Sequence, residues 1–153
     1  MKQRVISFCA EYGIYIGACG TLFFIVRQSS PHEQLFQFFT ITSLICIVWV
    51  LGALLKYSIR KERPHVEKRL SILRDRYSFP SMHALTLSAV ATYISVHSLY
   101  LGLFIFLIAF IVMYARIRTH MHFAVDMAAG FFFGVVYAVT FSPIIEKYLS
   151  LIF

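Results

Sequence analysis

The chain has 153 residues, of which 59% are hydrophobic and only 14% are charged, and its formal net charge is +7. Its hydrophobic residues come in long runs, a pattern that is typical of an integral membrane protein and not of a soluble one. We therefore expect the lipid bilayer and a membrane lipid, and no nucleic acid, to be its partners. The length and the absence of repeats predict one domain over residues 1–153, and the oligomeric state stays open.

The first two hydrophobic runs extend from Val5 to Val26 and from Leu35 to Leu55. Each is long enough to cross a hydrocarbon core of about 30 Å as a helix. The first run is longer than the apolar part of a signal peptide, so we expect it to remain as an uncleaved membrane span.

The third hydrophobic run, from Ala84 to Ala115, would be about 48 Å long as one helix, which exceeds the thickness of a bilayer. The polar residues near Ser98 predict a tight turn between two shorter spans. A last span is predicted from about Phe123 to Ser142, where Pro143 follows. The sequence thus predicts an all-α integral-membrane bundle of about five transmembrane helices.

A first group of polar residues follows the second span, where Lys56 precedes Arg63 and Pro64. On a helix, residues seven apart lie within roughly 20° of each other, so both side chains could bind one phosphate. Pro64 is expected to end that helix. The alternative is a basic cluster that only anchors the helix end at the membrane surface. We expect the nearby basic residues to be solvated or to face lipid headgroups: Arg60, Lys61, Lys68, Arg69, Arg74 and Arg76.

A second group is the run from Pro80 to His83. Ser81 is a natural N-cap for a helix that begins near Met82, and the free N–H groups at such a helix start can bind phosphate. His83 would lie where it could donate a proton to a leaving oxygen. An ordinary Ser-capped helix remains the alternative.

The third group consists of Arg116, His122 and Asp126. Because His122 and Asp126 are four residues apart, Asp126 could accept the N–H of His122 and leave the other ring nitrogen as a nucleophile. Arg116 could neutralise phosphate oxygens. A structural His–Asp pair is one alternative. A metal site with His120 is a weaker one, because His120 and His122 would point about 200° apart on a helix.

The order and spacing of the three groups resemble the signature of the type 2 phosphatidic acid phosphatase (PAP2) family, which vanadium haloperoxidases share. The resemblance covers the chain from about Lys56 to Asp126 with the flanking helices. The chain departs from the family pattern at Met82, where glycine is usual, and at Ala115, where serine is common.

The resemblance implies a lipid phosphate phosphatase with no metal or other cofactor. By it, His122 attacks phosphorus, Asp126 orients His122, and His83 protonates the departing oxygen. The implied phosphate-binding residues are Lys56, Arg63, Ser81, Met82 and Arg116. A polyprenyl diphosphate or a lipid A type headgroup is the favoured substrate, and phosphatidylglycerol phosphate or phosphatidic acid is the alternative. A haloperoxidase is disfavoured in so apolar a chain, and a non-catalytic transporter or assembly protein would leave the three groups unexplained.

The location of the active site raises a conflict. All Lys and Arg residues except Arg27 and Lys147 fall on the predicted active face, so the positive-inside rule places that face in the cytoplasm. The family resemblance implies the extracytoplasmic face of a bacterial inner membrane, which we favour. On this face, the basic and apolar segment from His65 to Phe79 is expected to contact the lipid headgroup.

Overall fold

The computed structural model describes residues 2–28, 30–63 and 77–153. These residues form five α-helices: α1 (Lys2–Val26), α2 (Pro31–Ile59), α3 (Met82–His97), α4 (Leu99–Arg118) and α5 (Ala124–Leu149). The described residues contain no β-sheet, and their one β-bridge is an isolated antiparallel pair between Glu62 and Tyr77. The predicted all-α bundle of five helices is confirmed.

The predicted turn near Ser98 is also confirmed. Ser98 has an extended backbone, with φ of −150°, and is both the last cap of α3 and the first cap of α4. Its N–H donates to the carbonyl of Ile94, and its carbonyl accepts from the N–H of Gly102. The two helices therefore form a hairpin, which returns the end of α4 to the membrane face where α3 begins.

Helix α3 is the centre of the bundle and packs against the other four helices. It has 16 residues, so it is about 24 Å long. The other four helices are long and apolar enough to cross a membrane, by a search of the described residues. Their outward side chains are large and apolar, as Trp49, Tyr100 and Phe132 illustrate, which suits contact with lipid.

A close contact between α3 and α5 holds the start of both helices together. A Cβ atom added to Gly130 of α5 would lie 2.5 Å from the carbonyl oxygen of Ser81. Only glycine fits there, so the helix axes can approach closely. This contact brings the first turns of α3 and α5, which carry His83 and Asp126, side by side.

A polar cluster ties α3 to α2 and α5 at the opposite end of the bundle. The buried hydroxyl of Tyr93 lies within hydrogen-bond distance of the Gln37 side-chain oxygen and of the Glu146 carboxylate, the latter at 3.0 Å, and donates its one proton between them. His97 Nε2 lies 3.2 Å from the same carboxylate. These contacts give polar groups inside an apolar bundle their partners.

Two predicted helix ends were wrong. Helix α2 ends at Ile59, because Arg60 adopts the left-handed conformation with φ of 52°, so Arg63 does not lie on the same helix as Lys56. Helix α5 continues through Pro143 to Leu149 instead of ending at Ser142. Proline is tolerated within membrane helices when neighbouring groups satisfy the carbonyl it frees. The predicted helix stop at Pro64 lies outside the described residues.

Candidate active site

Four helix ends meet on one face of the bundle. Lys56 is in the last turn of α2, His83 is in the first turn of α3, Arg116 is in the last turn of α4 and Asp126 is in the first turn of α5. His122 lies in the loop between α4 and α5 and is 3% exposed. The three predicted groups of residues therefore converge, as the hairpin requires.

The two ring nitrogens of His122 have different partners. Nδ1 lies 2.9 Å from the carbonyl oxygen of Ser78, and Nε2 lies 3.2 Å from a guanidinium nitrogen of Arg63. A carbonyl can only accept and a guanidinium can only donate, so Nδ1 carries the proton and Nε2 presents its lone pair. Nε2 is therefore the nitrogen that could attack phosphorus.

The surroundings of His122 favour its neutral form. Burial is the largest cause that lowers the pKa of His122 from 6.5 to about 2, and the positive charges of Arg63, Arg116 and Lys56 contribute to the same shift, while the hydrogen bond to Ser78 opposes it. The same three cations lie close enough to His83 to act on its charge. Both histidines thus face one cationic site, and His122 keeps a free electron pair at neutral pH.

The spacing predicts that Asp126 accepts the N–H of His122, but the structure shows that it does not. Its Oδ2 lies 3.9 Å from His122 Nδ1 and instead accepts from the N–H of Phe123 at 3.0 Å, which caps α5. Its Oδ1 lies 2.7 Å from the Lys61 ammonium. The prediction assumed that both residues lie on one helix, but α5 begins at Ala124, so His122 precedes it.

Two residues at the site were missed by sequence reasoning. Ser78 supplies the carbonyl that binds His122, and Lys61 is paired with Asp126 instead of only facing solvent or lipid. Ser78 is held by Lys61, whose carbonyl accepts the Ser78 N–H at 2.7 Å, and the Ser78 hydroxyl lies within hydrogen-bond distance of the carbonyls of Lys61 and Glu62. Main-chain contacts between residues so far apart leave no pattern in a single sequence.

The three predicted phosphate cations are held in different ways. Arg63 donates to the carbonyl of Met121 at 3.2 Å as well as to His122. Arg116 donates to the carbonyl of Ala10 in α1 at 3.0 Å. Lys56 is 3% exposed. Three cations around one site can bind a phosphate group through charge-assisted hydrogen bonds.

Ser81 and Met82 lie at the start of α3 as predicted, but Ser81 does not cap the helix with its side chain. Its N–H donates to the Asp126 carbonyl at 3.0 Å, and its buried hydroxyl has no hydrogen-bond partner among the described residues. The first helical bond of α3 joins Leu85 N–H to Ser81, so the N–H groups of Met82 and His83 precede the helical ladder. These N–H groups and the Ser81 hydroxyl remain candidate phosphate donors.

The side chain of Met82 packs against α2. A Cβ atom added to Gly52 would lie 2.9 Å from the Met82 sulfur, so Gly52 provides the space that the methionine occupies. The extra side chain relative to the family pattern is accommodated between two helices, and the backbone of the α3 start keeps its N–H groups.

The metal alternative finds no set of ligands among the described residues. A group of three or more His, Cys, Asp or Glu side chains with metal-binding spacing is absent from that part of the chain. His120 adopts the left-handed conformation, with φ of 54°, in the turn after α4. Most of the predicted interfacial segment from His65 to Phe79 lies outside the described residues.

Comparison with known proteins decides the family. A family model described as the PAP2 superfamily matches residues 37–149, which include every predicted site residue. The chain belongs to the PAP2 superfamily. The predicted resemblance is therefore confirmed.

A solved structure shares the PAP2 fold of this chain. It is the crystal structure of a transmembrane PAP2-type phosphatidylglycerolphosphate phosphatase from Bacillus subtilis, with a TM-score of 0.65 and 17% sequence identity. The similarity covers 95% of this chain and 77% of that chain. Helix α1 lies outside the residues matched by the PAP2 family model, although its Ala10 carbonyl binds Arg116.

Proposed function

We propose that the protein is a membrane lipid phosphatase that hydrolyses a phosphomonoester or a diphosphate through a phosphohistidine on His122. The observation that carries this proposal is the state of His122 Nε2, which presents a lone pair next to Arg63 and within reach of the charges of Arg116 and Lys56. A nucleophile beside fixed cations is what phosphoryl transfer requires.

In the first step, His122 Nε2 forms a bond to phosphorus while the bond from phosphorus to the lipid oxygen breaks. The negative charge of the bound phosphate offsets the three cations and lets His83 take up a proton from water as the substrate binds. His83 donates this proton to the lipid oxygen, so the lipid leaves as an alcohol, or as a monophosphate if the substrate is a diphosphate. In the second step, water gives a proton to His83 and attacks phosphorus, which releases phosphate and restores His122 Nε2. The cations Lys56, Arg63 and Arg116, the Ser81 hydroxyl and the N–H of Met82 bind the phosphate oxygens.

Arg63 has an additional part in this scheme. Its guanidinium lies 3.2 Å from Nε2 of His122. A phosphate group brings acceptors that bind guanidinium more strongly than a neutral imidazole does. Substrate binding therefore draws Arg63 onto the phosphate and uncovers the nucleophile.

The favoured substrate is a polyprenyl diphosphate or a lipid A type headgroup, with phosphatidylglycerol phosphate or phosphatidic acid as the alternative. The name of the Bacillus subtilis protein supports testing phosphatidylglycerol phosphate with equal weight. We place the enzyme in a bacterial inner membrane with its active site on the extracytoplasmic face.

Phosphate release by the purified protein tests the proposal. The protein in detergent or in liposomes is supplied in turn with each of these four lipid phosphates, and His122→Ala serves as the inactive control. Release from one class at least tenfold above that control supports the function and names the substrate class. No release from any of them in either preparation would favour a non-catalytic role.

A further inference from the structure

Lys61 contacts both of the groups that lie on the Nδ1 side of His122. Its main-chain carbonyl accepts the Ser78 N–H at 2.7 Å, and the carbonyl of Ser78 in turn accepts the His122 N–H. Its ammonium lies 2.7 Å from Asp126 Oδ1, and the other oxygen of that carboxylate is 3.9 Å from His122 Nδ1. One residue is thus joined to His122 by two separate routes.

The Lys61 ammonium is held more tightly than a surface lysine. It lies 4.5 Å above the centre of the Phe123 ring, and its side chain is 33% exposed whereas Asp126 is fully buried. A buried carboxylate needs a partner, because an unpaired charge away from water is costly. Lys61 supplies that partner, so Asp126 stays on its hydrogen bond to the Phe123 N–H and does not turn towards His122.

We propose that Lys61 is a positioning residue of this active site, which acts through Ser78 and Asp126 to hold His122 in its nucleophilic orientation and charge state. This inference rests on the function proposed above. Lys61 lies between the signature residues Lys56 and Arg63 but is not itself part of the family signature.

The charge of Lys61 acts on His122 through Asp126. Among the described residues, the charges of Arg63, Arg116 and Lys56 act on His122, His83 faces the same three cations, and Asp126 lies 3.9 Å from Nδ1 with Lys61 next to it. If Lys61 were neutral, the Asp126 carboxylate would be unbalanced at 3.9 Å from Nδ1 and would favour the imidazolium. An imidazolium has no lone pair and cannot attack phosphorus.

The first test is steady-state kinetics of Lys61→Met and Lys61→Arg on the lipid that the phosphate-release assay identifies. We expect Lys61→Met to lower kcat about 10²-fold with little change in KM, because a misplaced nucleophile loses its attack geometry. We also expect the acid limb of its pH profile to move to higher pH, since the pKa of His122 rises. Lys61→Arg should recover most of the kcat, and Arg118→Met, which removes an exposed cation from the same face, should match the wild type.

The second test is a double-mutant cycle with Asp126→Asn, measured above the acid limb. If Lys61 acts through Asp126, adding Lys61→Met to Asp126→Asn should lower kcat less than it does in the wild type. The inference is overturned if the two effects multiply, or if Lys61→Met raises KM and leaves kcat and the pH profile unchanged. That last result would make Lys61 a headgroup contact.

A third measurement does not depend on the substrate. The titration of His122 is followed by NMR of histidine-labelled protein in micelles, with His122→Gln used to assign the resonance. We expect His122 in Lys61→Met to take up its proton at higher pH than in the wild type, at a similar midpoint of thermal unfolding. An unchanged titration refutes the positioning role even if every lipid tested is inert, whereas inactive wild-type protein with a shifted titration refutes only the proposed function.

Discussion

At the scale of single residues, two hydrogen bonds fix His122, which is the donor in one and the acceptor in the other. The Ser78 carbonyl holds the proton on Nδ1, and Arg63 occupies the lone pair of Nε2. Asp126, four residues further along, instead caps α5 and pairs with Lys61. The orientation of the proposed nucleophile therefore depends on a main-chain group, which a side-chain substitution at Ser78 does not remove.

His122→Ala is expected to abolish turnover and to leave membrane insertion intact, because it removes the proposed nucleophile and His83 is needed as the proton donor. Phosphate release from the substrate lipid and the amount of protein in the membrane fraction are the measurements. His120→Asn is the matched control, since asparagine tolerates the left-handed backbone of that position. Wild-type turnover by His122→Ala would exclude His122 as the nucleophile, and inactivity of both variants would favour the metal alternative.

Arg63→Ala is expected to lower kcat/KM about 10²-fold or more, because it removes a fixed hydrogen-bond donor that stabilises the transition state. The positive charge of Arg63 lowers the pKa of His122, so its removal raises that pKa and moves the acid limb of activity to higher pH. The pH profile of kcat/KM measures both effects. Lys56→Ala should show the same loss of rate, and full activity in both variants would refute the phosphate-binding role of these cations.

Hydrolysis is expected to be independent of divalent metals and sensitive to vanadate. A catalytic metal ion would neutralise the phosphate charge and supply a bound hydroxide as the nucleophile. In this protein three cations can neutralise the phosphate, and His122 supplies the nucleophile. Activity is measured in excess EDTA, then with added Mg²⁺ or Zn²⁺, and then with increasing vanadate, which can mimic five-coordinate phosphorus. Complete loss in EDTA that one metal restores would overturn the mechanism.

At the scale of the helices, the contact between α3 and α5 sets the distance between His83, which α3 carries, and Asp126, which α5 carries. Gly130 lets the start of α5 rest against the Ser81 carbonyl, and Ser81 N–H in turn bonds to the Asp126 carbonyl. Because His83 and Asp126 lie in the first turns of these helices, a small separation of the axes moves both.

Gly130→Val is therefore expected to lower stability by about 1 to 3 kcal/mol, as overpacking does, and to lower activity further than that loss alone explains. Thermal unfolding in detergent and phosphate release at a temperature where the variant is folded are the measurements. Ala128→Val, on the exposed side of the same helix, is the control and should behave like the wild type. Normal activity of Gly130→Val would show that the site tolerates separation of the helices.

The sequence predicts the helices of this bundle better than it predicts the contacts of the site. The length of the apolar run and its polar residues near Ser98 are local signals, and they correctly predict the hairpin. The end of α2 depends on a left-handed Arg60, and the partner of His122 depends on a bridge between Glu62 and Tyr77. The pattern of hydrophobic residues indicates neither of these contacts. The predictions that Lys56 and Arg63 lie on one helix and that His122 bonds to Asp126 were therefore both wrong.

At the scale of the whole molecule, polar groups gather at the two ends of the bundle and serve different purposes. One end holds His122, His83 and the three cations, and the other end holds the Tyr93 hydroxyl with Gln37 and Glu146. The second cluster joins α2, α3 and α5 far from the proposed chemistry. We interpret this cluster as a set of contacts that stabilises the packing of the three helices.

Tyr93→Phe is expected to lower the free energy of unfolding by about 1 to 3 kcal/mol, because it removes the hydroxyl that contacts both Gln37 and Glu146, and only the contact with His97 remains for Glu146. The kcat of the folded variant should stay at the wild-type value. Thermal unfolding and phosphate release below the transition separate the two quantities. Tyr100→Phe, which alters an exposed tyrosine in the adjacent turn, should change neither, and a fall in kcat for Tyr93→Phe alone would show coupling between the two ends.

The hydrogen bond from Arg116 to the Ala10 carbonyl attaches α1 to the rest of the bundle through its main chain. The acceptor is main chain, and every helical residue carries the same group, so the identity of the side chain at position 10 does not enter this bond. Helix α1 is anchored to the site by its backbone, while most of its side chains point outward. Its surface is thereby free to be adapted to a thicker or thinner bilayer, or to another membrane protein, without altering the hydrogen bond that it provides to the site.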